Sequence, residues 1–169
     1  MKKLTVLLWL SACLLHAEPL PLLQHTPPLA EPFSITSPQG FRINPTKQSG
    51  GYQDDNFHRG YDLVPDVLFT NKKANVKVHS IYYGTVETVY PPPNGYFKGH
   101  PIFGGLVVID HKDGTYSLYG HLKEVWVKEG QHVNINDPIG LVGNTGMSTG
   151  PHLHFEYIVD PINLLKERK

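Results

Sequence analysis

The stretch GLVVIDHKDGTYSLY, residues 105–119, decides the class of fold. Its two arms, Gly105–Asp110 and Thr115–Tyr119, are rich in β-branched and aromatic residues, which favour extended strands. The Asp113-Gly114 pair between the arms is typical of a tight turn that joins antiparallel strands. This stretch therefore predicts a β-hairpin.

Segments of similar composition lie on both sides of this hairpin, at intervals of roughly 8–12 residues. They are Val76–Ile81, Gly84–Tyr90, Glu124–Lys128, Gln131–Asn136, Gly140–Val142 and His152–Val159. The sequence contains neither heptads nor long helical patterns. The pattern predicts an all-β domain, a sandwich or a barrel, with little helix.

The composition narrows the classes of function. The chain has 169 residues, enough for one domain, and its 15 Lys and Arg residues equal its 15 Asp and Glu residues. This balance argues against a nucleic-acid-binding protein, which needs a basic surface. One cysteine cannot form a disulfide within the chain, whereas 10 histidines allow a metal site built from imidazoles.

The beginning of the sequence has the pattern of an export signal. A lysine pair precedes an apolar run at residues 4–15, too short for a bilayer of about 30 Å, which takes roughly 20 residues. We predict a signal peptide at residues 1–17, cleaved after Ala17, and therefore an exported protein. A second interpretation stays open, because LSAC (residues 10–13) resembles a lipobox, in which Cys13 would carry a lipid anchor.

The remainder of the chain divides into three parts. Residues 18–35 contain five prolines and predict an extended tether. Residues 36–165 form the predicted β domain, and residues 166–169 a C-terminal tail. Within the domain, PPPNGYFKGHPIFG (residues 91–104) predicts a long irregular loop, and loops of this length are usually functional or disordered.

The segment HLHFE, residues 152–156, places two histidines together. Alternate residues of a strand point to the same face, so His152 and His154 project side by side. Two imidazoles on an otherwise apolar strand are costly to bury unless they are paired or bind a metal. Strand geometry alone leaves open which of the two would be the ligand.

The segment FHRGYD, residues 57–62, adds a carboxylate. Gly60 permits a tight bend, through which His58 and Asp62 can converge on one point. His121, in YGHL at the end of a predicted strand, supplies a further imidazole. Catalytic zinc takes three protein ligands of this kind in tetrahedral geometry and leaves a fourth position to water, so the set predicts a zinc hydrolase.

Three segments resemble, in order and spacing, the signature segments of the lysostaphin-type (LytM-like) zinc endopeptidases of bacterial cell walls. They are FHRGYD (57–62), YGHL (119–122) and GNTGMSTGPHLHFE (143–156). The resemblance implies an antiparallel β-sheet lining an open groove, and one zinc ion per chain held by His58, Asp62 and His154. It also implies catalytic roles for His152, as general base, and for His121, which would orient the water or stabilise the oxyanion.

The function implied is a zinc-dependent endopeptidase that hydrolyses peptide bonds of peptidoglycan stems or cross-links, with a zinc-activated water as nucleophile. Its partners would be peptidoglycan peptides and not nucleic acid, with membrane contact only through a lipid anchor at Cys13. We expect a monomer in the periplasm or cell envelope of a bacterium. The alternative is a catalytically inactive peptidoglycan-binding module that activates another wall hydrolase. Such relatives usually lack ligand residues, whereas here all five ligand and catalytic positions are filled. The sequence departs from the family pattern at Gly120, where alanine is more usual.

Overall fold

The computed structural model describes residues 25–41, 57–95 and 98–159. Its strands are β1 (Phe33–Ser37), β2 (Gly40–Phe41), β3 (Phe57–His58), β4 (Tyr61–Pro65), β5 (Lys77–His79), β6 (Gly84–Tyr90), β7 (Gly105–Asp110), β8 (Thr115–Leu122), β9 (Glu124–Val125), β10 (His132–Val133), β11 (Pro138–Leu141) and β12 (Leu153–Val159). A four-residue helix, α1 (Val67–Thr70), is the only helix in these ranges. The prediction of an all-β fold with little helix is therefore confirmed.

Every strand pair in the described ranges is antiparallel. The largest sheet has seven strands in the order β1-β4-β12-β8-β7-β6-β10, and smaller sheets have the orders β5-β11-β9 and β2-β3. The hairpin that decides the fold class is formed by β7 and β8, with Asp110 opposite Tyr116. Gly114, in its turn, has a φ of +84°, a conformation that glycine adopts without steric cost.

The hydrophobic core draws on both the seven-stranded and the three-stranded sheet. Val78 and Ile139 of the smaller sheet and Ile109 and Leu153 of the larger one are fully buried members of one cluster. Tyr119 lies in the same core, where its hydroxyl accepts a hydrogen bond from the Ile81 backbone N–H at 3.0 Å. This packing fixes the central strand β8, which carries the predicted catalytic His121 near its end.

Part of the segment predicted as a tether packs against the domain. Leu29 is 2% exposed and belongs to the core cluster. The Thr26 N–H donates to the Ile81 carbonyl at 3.0 Å, and the Pro28 carbonyl accepts from the His79 N–H at 2.9 Å. Proline-rich composition does not reveal this docking, because a single buried leucine and two backbone hydrogen bonds produce no periodic pattern.

The other predictions about the ends of the chain lie outside the described residues. These are the signal peptide at residues 1–17 with Cys13, the first part of the tether, and residues 160–169, which include the predicted C-terminal tail. Within the described ranges, no helix has the length and apolar character needed to cross a membrane.

Candidate metal centre

Three strands bring the predicted metal ligands together. His58 ends β3, Asp62 is the second residue of β4, and His154 is the second residue of β12. Strands β4 and β12 are neighbours in the seven-stranded sheet, and their register sets His154 directly opposite Asp62. The convergence therefore depends on a strand pairing between residues about ninety positions apart in the sequence.

The three donor atoms form a triangle of equal sides. His58 Nε2, His154 Nδ1 and Asp62 Oδ1 each lie 3.0 Å from the other two. All three residues are buried, at 7%, 5% and 7% exposure in that order. Tetrahedral zinc ligands at about 2.0–2.1 Å from the ion stand about 3.3–3.4 Å apart, so an expansion of a few tenths of an ångström would admit the ion.

The outer nitrogens of the two imidazoles face fixed acceptors. His58 Nδ1 lies 3.0 Å from the Pro38 carbonyl oxygen, and His154 Nε2 lies 3.0 Å from Glu156 Oε1. When each outer nitrogen donates its proton, the inner nitrogens of His58 and His154 are left with lone pairs directed at each other and at the Asp62 carboxylate. Three electron-rich atoms at this spacing need a cation between them, so the donor set fits a divalent metal.

The surroundings keep the Asp62 carboxylate ionised. Burial by itself raises the pKa of Asp62, but the neighbouring imidazoles of His152 and His154 outweigh it and hold that pKa well below its usual range. For His154, burial lowers the pKa, and the hydrogen bonds to Asp62 and Glu156 more than reverse the effect. Both shifts express the same property of the site, which favours positive charge at its centre.

The predicted catalytic histidines lie beside this triangle. His152 Nε2 is 3.5 Å from Asp62 Oδ1, and the rings of His152 and His121 have centroids 4.7 Å apart. The His152 side chain is 14% exposed, more than the side chains of His58, Asp62 and His154. The structure thus brings all five predicted residues into one cluster, with His152 at its accessible side.

Backbone carbonyls fix the tautomer of both histidines. His152 Nδ1 lies 2.8 Å from the Gly150 oxygen, and His121 Nδ1 lies 2.7 Å from the Thr145 oxygen. Each Nδ1–H is thereby donated to the backbone, and each Nε2 keeps a lone pair. Burial, followed by the neighbouring His152, lowers the pKa of His121 to about 4, so this imidazole is neutral at neutral pH.

His121 occupies an unusual backbone conformation. Its φ is +63°, in the left-handed region that non-glycine residues rarely adopt. Its N–H donates to the Phe103 carbonyl at 2.6 Å, so residues of the 91–104 loop hold the turn in place. Strain of this kind persists only where the surrounding structure enforces it, and it is concentrated at functional sites.

Gly60 serves a different purpose from the bend predicted for it. A Cβ at this position would stand 2.4 Å from the Phe155 carbonyl oxygen, 2.8 Å from Glu156 Cγ and 2.9 Å from His154 Nε2. Its backbone is outside the left-handed region, so other residues could adopt the conformation. What the site requires is the absence of a side chain, because β12 and its polar residues lie against the glycine.

One polar residue of the cluster, Glu156, was not predicted from the sequence. Glu156 is 7% exposed and contacts His154 through its carboxylate. The alternation that joined His152 to His154 would have included it, since Glu156 is the next residue on that face of the strand. His111, by contrast, is fully buried away from the cluster, where it contacts the Tyr83 carbonyl and the Ser117 hydroxyl at 2.8 and 2.9 Å.

The fold is an antiparallel β domain, and its site is a buried His-Asp-His triangle flanked by two further histidines. Both features are typical of the metallopeptidase class predicted from the sequence. Residues 56–164 match Peptidase family M23, and the chain belongs to this family. The resemblance seen in the sequence is confirmed by this match.

Three similar proteins illustrate the relationship. The peptidoglycan DD-endopeptidase ShyA of Vibrio cholerae serotype O1 is 48% identical over 71 residues, which make up 41% of this chain and 16% of ShyA. A zinc-containing peptidase from Vibrio cholerae has a TM-score of 0.57 at 32% identity, over 75% of this chain and 33% of that one. A variant of the catalytic domain of the M23 protein EnpA from Enterococcus faecalis has a TM-score of 0.55 at 29% identity, over 76% and 82% of the two chains. The curated relatives are thus much longer than the part that this chain matches.

Proposed function

We propose that this protein is a zinc-dependent endopeptidase that hydrolyses peptide bonds of peptidoglycan stems or cross-links. The single observation that carries the proposal is the triangle of His58 Nε2, Asp62 Oδ1 and His154 Nδ1, with sides of 3.0 Å. These residues would hold one ion per chain. When bound, zinc supplies Lewis acidity, which activates a water molecule as nucleophile and polarises the scissile carbonyl.

His152 is the proposed general base. Its Nδ1–H is donated to the Gly150 oxygen, so its Nε2 can accept a proton from the attacking water. The same nitrogen then returns the proton to the amine that leaves. Its partial exposure suits a group that must meet the substrate from the solvent side.

His121 is the proposed orienting residue. A neutral imidazole whose Nδ1–H is donated to the Thr145 oxygen has only a lone pair at Nε2, so it accepts a hydrogen bond from water. It would need a second proton before it could donate to an oxyanion. Of the two roles implied by the family resemblance, this favours orientation of the nucleophile.

The substrate class is supported by the relatives. ShyA is named as a peptidoglycan DD-endopeptidase and matches 71 residues of this chain at 48% identity. We therefore propose a bond between D-configured residues of a peptidoglycan cross-link as the first to test. Action on peptidoglycan would place the protein in the periplasm or cell envelope, which agrees with the predicted signal peptide at residues 1–17.

The alternative of an inactive wall-binding module is not favoured. It gives no reason for five polar residues to converge with both catalytic imidazoles in the tautomer that hydrolysis needs. A binding surface alone would also gain nothing from a buried, ionised carboxylate such as that of Asp62, which is costly to remove from water.

The test is digestion of purified, cross-linked sacculi by the metal-loaded protein. We expect release of soluble fragments with new amino groups, loss of release with a chelator, and recovery when zinc is added back. Mass analysis of the fragments identifies the bond. If zinc-loaded protein releases nothing from sacculi that it binds, the module interpretation replaces the enzyme.

Two histidine variants separate the proposed roles. His152→Ala should keep one zinc per chain but release fragments about 10²- to 10⁴-fold more slowly, the usual contribution of a general base. His132→Ala is the matched control, because His132 is exposed and contacts Thr85 rather than the cluster. Loss of zinc from His152→Ala would contradict the division between ligands and base.

A further inference from the structure

Glu156 is a buried carboxylate beside the candidate metal centre. It lies two residues after His154 on β12, so both side chains project from the same face of the sheet. The residue is 7% exposed, and its Oε1 lies 3.0 Å from His154 Nε2. That contact is the only hydrogen bond or ion pair of its side chain within the part of the chain that the structure describes.

Such a carboxylate is a poor contributor to the stability of the fold. Removing a charged group from water costs several kcal/mol, and a single hydrogen bond to an imidazole does not return that amount. An apolar side chain here would avoid that cost, but it would leave the Nε2–H of His154 buried without an acceptor. The carboxylate is therefore of use to the His154 imidazole and not to the hydrophobic packing around it.

We propose that Glu156 is a positioning residue, which accepts the Nε2–H of His154 and thereby keeps the Nδ1 lone pair of that imidazole directed at Asp62 and His58. The inference rests on the proposed metal centre. Glu156 would act through the ligand His154 and would not itself contact the ion or the substrate.

The alternative tautomer shows why this matters. His154 Nδ1 lies 3.0 Å from Asp62 Oδ1, so a proton on Nδ1 would make a good hydrogen bond to that carboxylate. It would also occupy the centre of the donor triangle and remove one ligand. Glu156 offers the proton an equally short hydrogen bond at the opposite nitrogen, which leaves the inner nitrogen to the metal.

Gly60 provides the room for this pair. A Cβ there would be 2.8 Å from Glu156 Cγ and 2.9 Å from His154 Nε2, closer than atoms in contact tolerate. The same Cβ would stand 2.4 Å from the Phe155 carbonyl oxygen, so Gly60→Ala would also displace the backbone of β12. Substitution of Glu156 itself is therefore the cleaner test.

The experiment compares Glu156→Leu and Glu156→Gln with the wild-type protein. Zinc affinity is measured by competition with a chromogenic chelator, and the visible spectrum of the cobalt-substituted protein reports the ligand geometry. We expect a 10- to 100-fold loss of zinc affinity and an altered cobalt spectrum for Glu156→Leu. Glu156→Gln, whose amide oxygen can still accept the Nε2–H, should lose less than Glu156→Leu. Both variants should also lose some metal-free stability, because each alters the partner of a buried imidazole, so the cobalt spectrum is the readout that reports ligand orientation.

Ser117→Ala is the matched control. It removes the partner of another buried histidine, because the Ser117 hydroxyl lies 2.9 Å from His111 Nε2. We expect this variant to lose stability without losing zinc affinity. Wild-type zinc affinity in Glu156→Leu would overturn the inference, as would a loss of zinc affinity that leaves the cobalt spectrum unchanged. Failure of the wild-type protein to bind zinc would instead overturn the proposed metal centre, and the inference with it.

Discussion

Two glycines near the site should respond very differently to substitution by alanine. A Cβ at Gly143 would stand 2.4 Å from the Lys123 backbone nitrogen and 2.6 Å from the His121 carbonyl oxygen. A Cβ at Gly120 would stand 3.2 Å from Phe103 Cδ1 and 3.4 Å from His154 Cβ, which are side-chain atoms. Only Gly143→Ala therefore forces two segments of backbone apart.

The size of the effect follows from these distances. Ordinary contacts of a Cβ begin at 3.4 Å, so Gly143→Ala requires a separation of about 1 Å between the chain at residue 143 and the end of β8. Overpacking of this kind typically costs about 1–3 kcal/mol of unfolding free energy. A displacement of about 1 Å at a catalytic group can slow a reaction about 10²-fold, and His121, the proposed orienting residue, lies in the displaced segment.

Gly120→Ala should be nearly neutral. The Phe103 ring has to move by only about 0.2 Å. Alanine also lowers the conformational entropy of the unfolded chain, which stabilises the fold by about 0.4–1 kcal/mol and offsets the cost of that movement. Urea unfolding gives the stability of both variants, and fragment release from sacculi at equal zinc loading gives their activity. Wild-type stability and rate in Gly143→Ala would refute this prediction, as would equally severe damage in Gly120→Ala.

Three further predictions follow from other parts of the structure. Zinc at 100 times its dissociation constant should stabilise the wild-type protein and the control variant His132→Ala by about 2.7 kcal/mol. Scanning fluorimetry should show this as a rise in Tm of roughly 5–11 °C. Asp62→Asn, which lacks one proposed ligand, should show no rise. Burial lowers the pKa of His111, so the unfolded chain binds a proton more readily than the folded one below the ordinary pKa of about 6.5. The contribution of His111 to the unfolding free energy should therefore be constant above that pH and decline as the pH falls toward the folded pKa. His111→Gln should lack this part of the decline in urea titrations at a series of pH values. Leu29→Ala should cost about 2–5 kcal/mol while the exposed Glu31→Ala costs almost nothing, and equal stabilities would show that residues 25–32 contribute little to the domain.

The sequence was most informative where structure is local. The β7–β8 hairpin follows from two β-rich arms and the Asp113-Gly114 turn, all within one short stretch. The same applies to His152 and His154, whose shared orientation needs only the alternation of a strand. The prediction was less accurate for β9 and β10, which are two residues long where longer strands were expected.

The assembly of the site could not be worked out from local pattern. The register that sets His154 opposite Asp62 joins strands distant in the chain, and only the family resemblance indicated which histidine faces inward. The steric role of Gly60 and the buried carboxylate of Glu156 likewise depend on what β12 packs against. Leu29 escaped notice because one buried side chain among prolines leaves no periodic signal.

The order of strands in the large sheet has a consequence for the timing of folding. Strand β12, which comes last among the described strands, lies between β4 and β8 in the middle of the sheet. Until a ribosome has synthesised β12, the two strands that flank it have no partner on that side, and His154 does not yet exist to meet Asp62. Pairing over such long sequence separations is also slow, because the loop between the strands must be closed first. A nascent chain therefore lacks the candidate metal centre until β12 has been made.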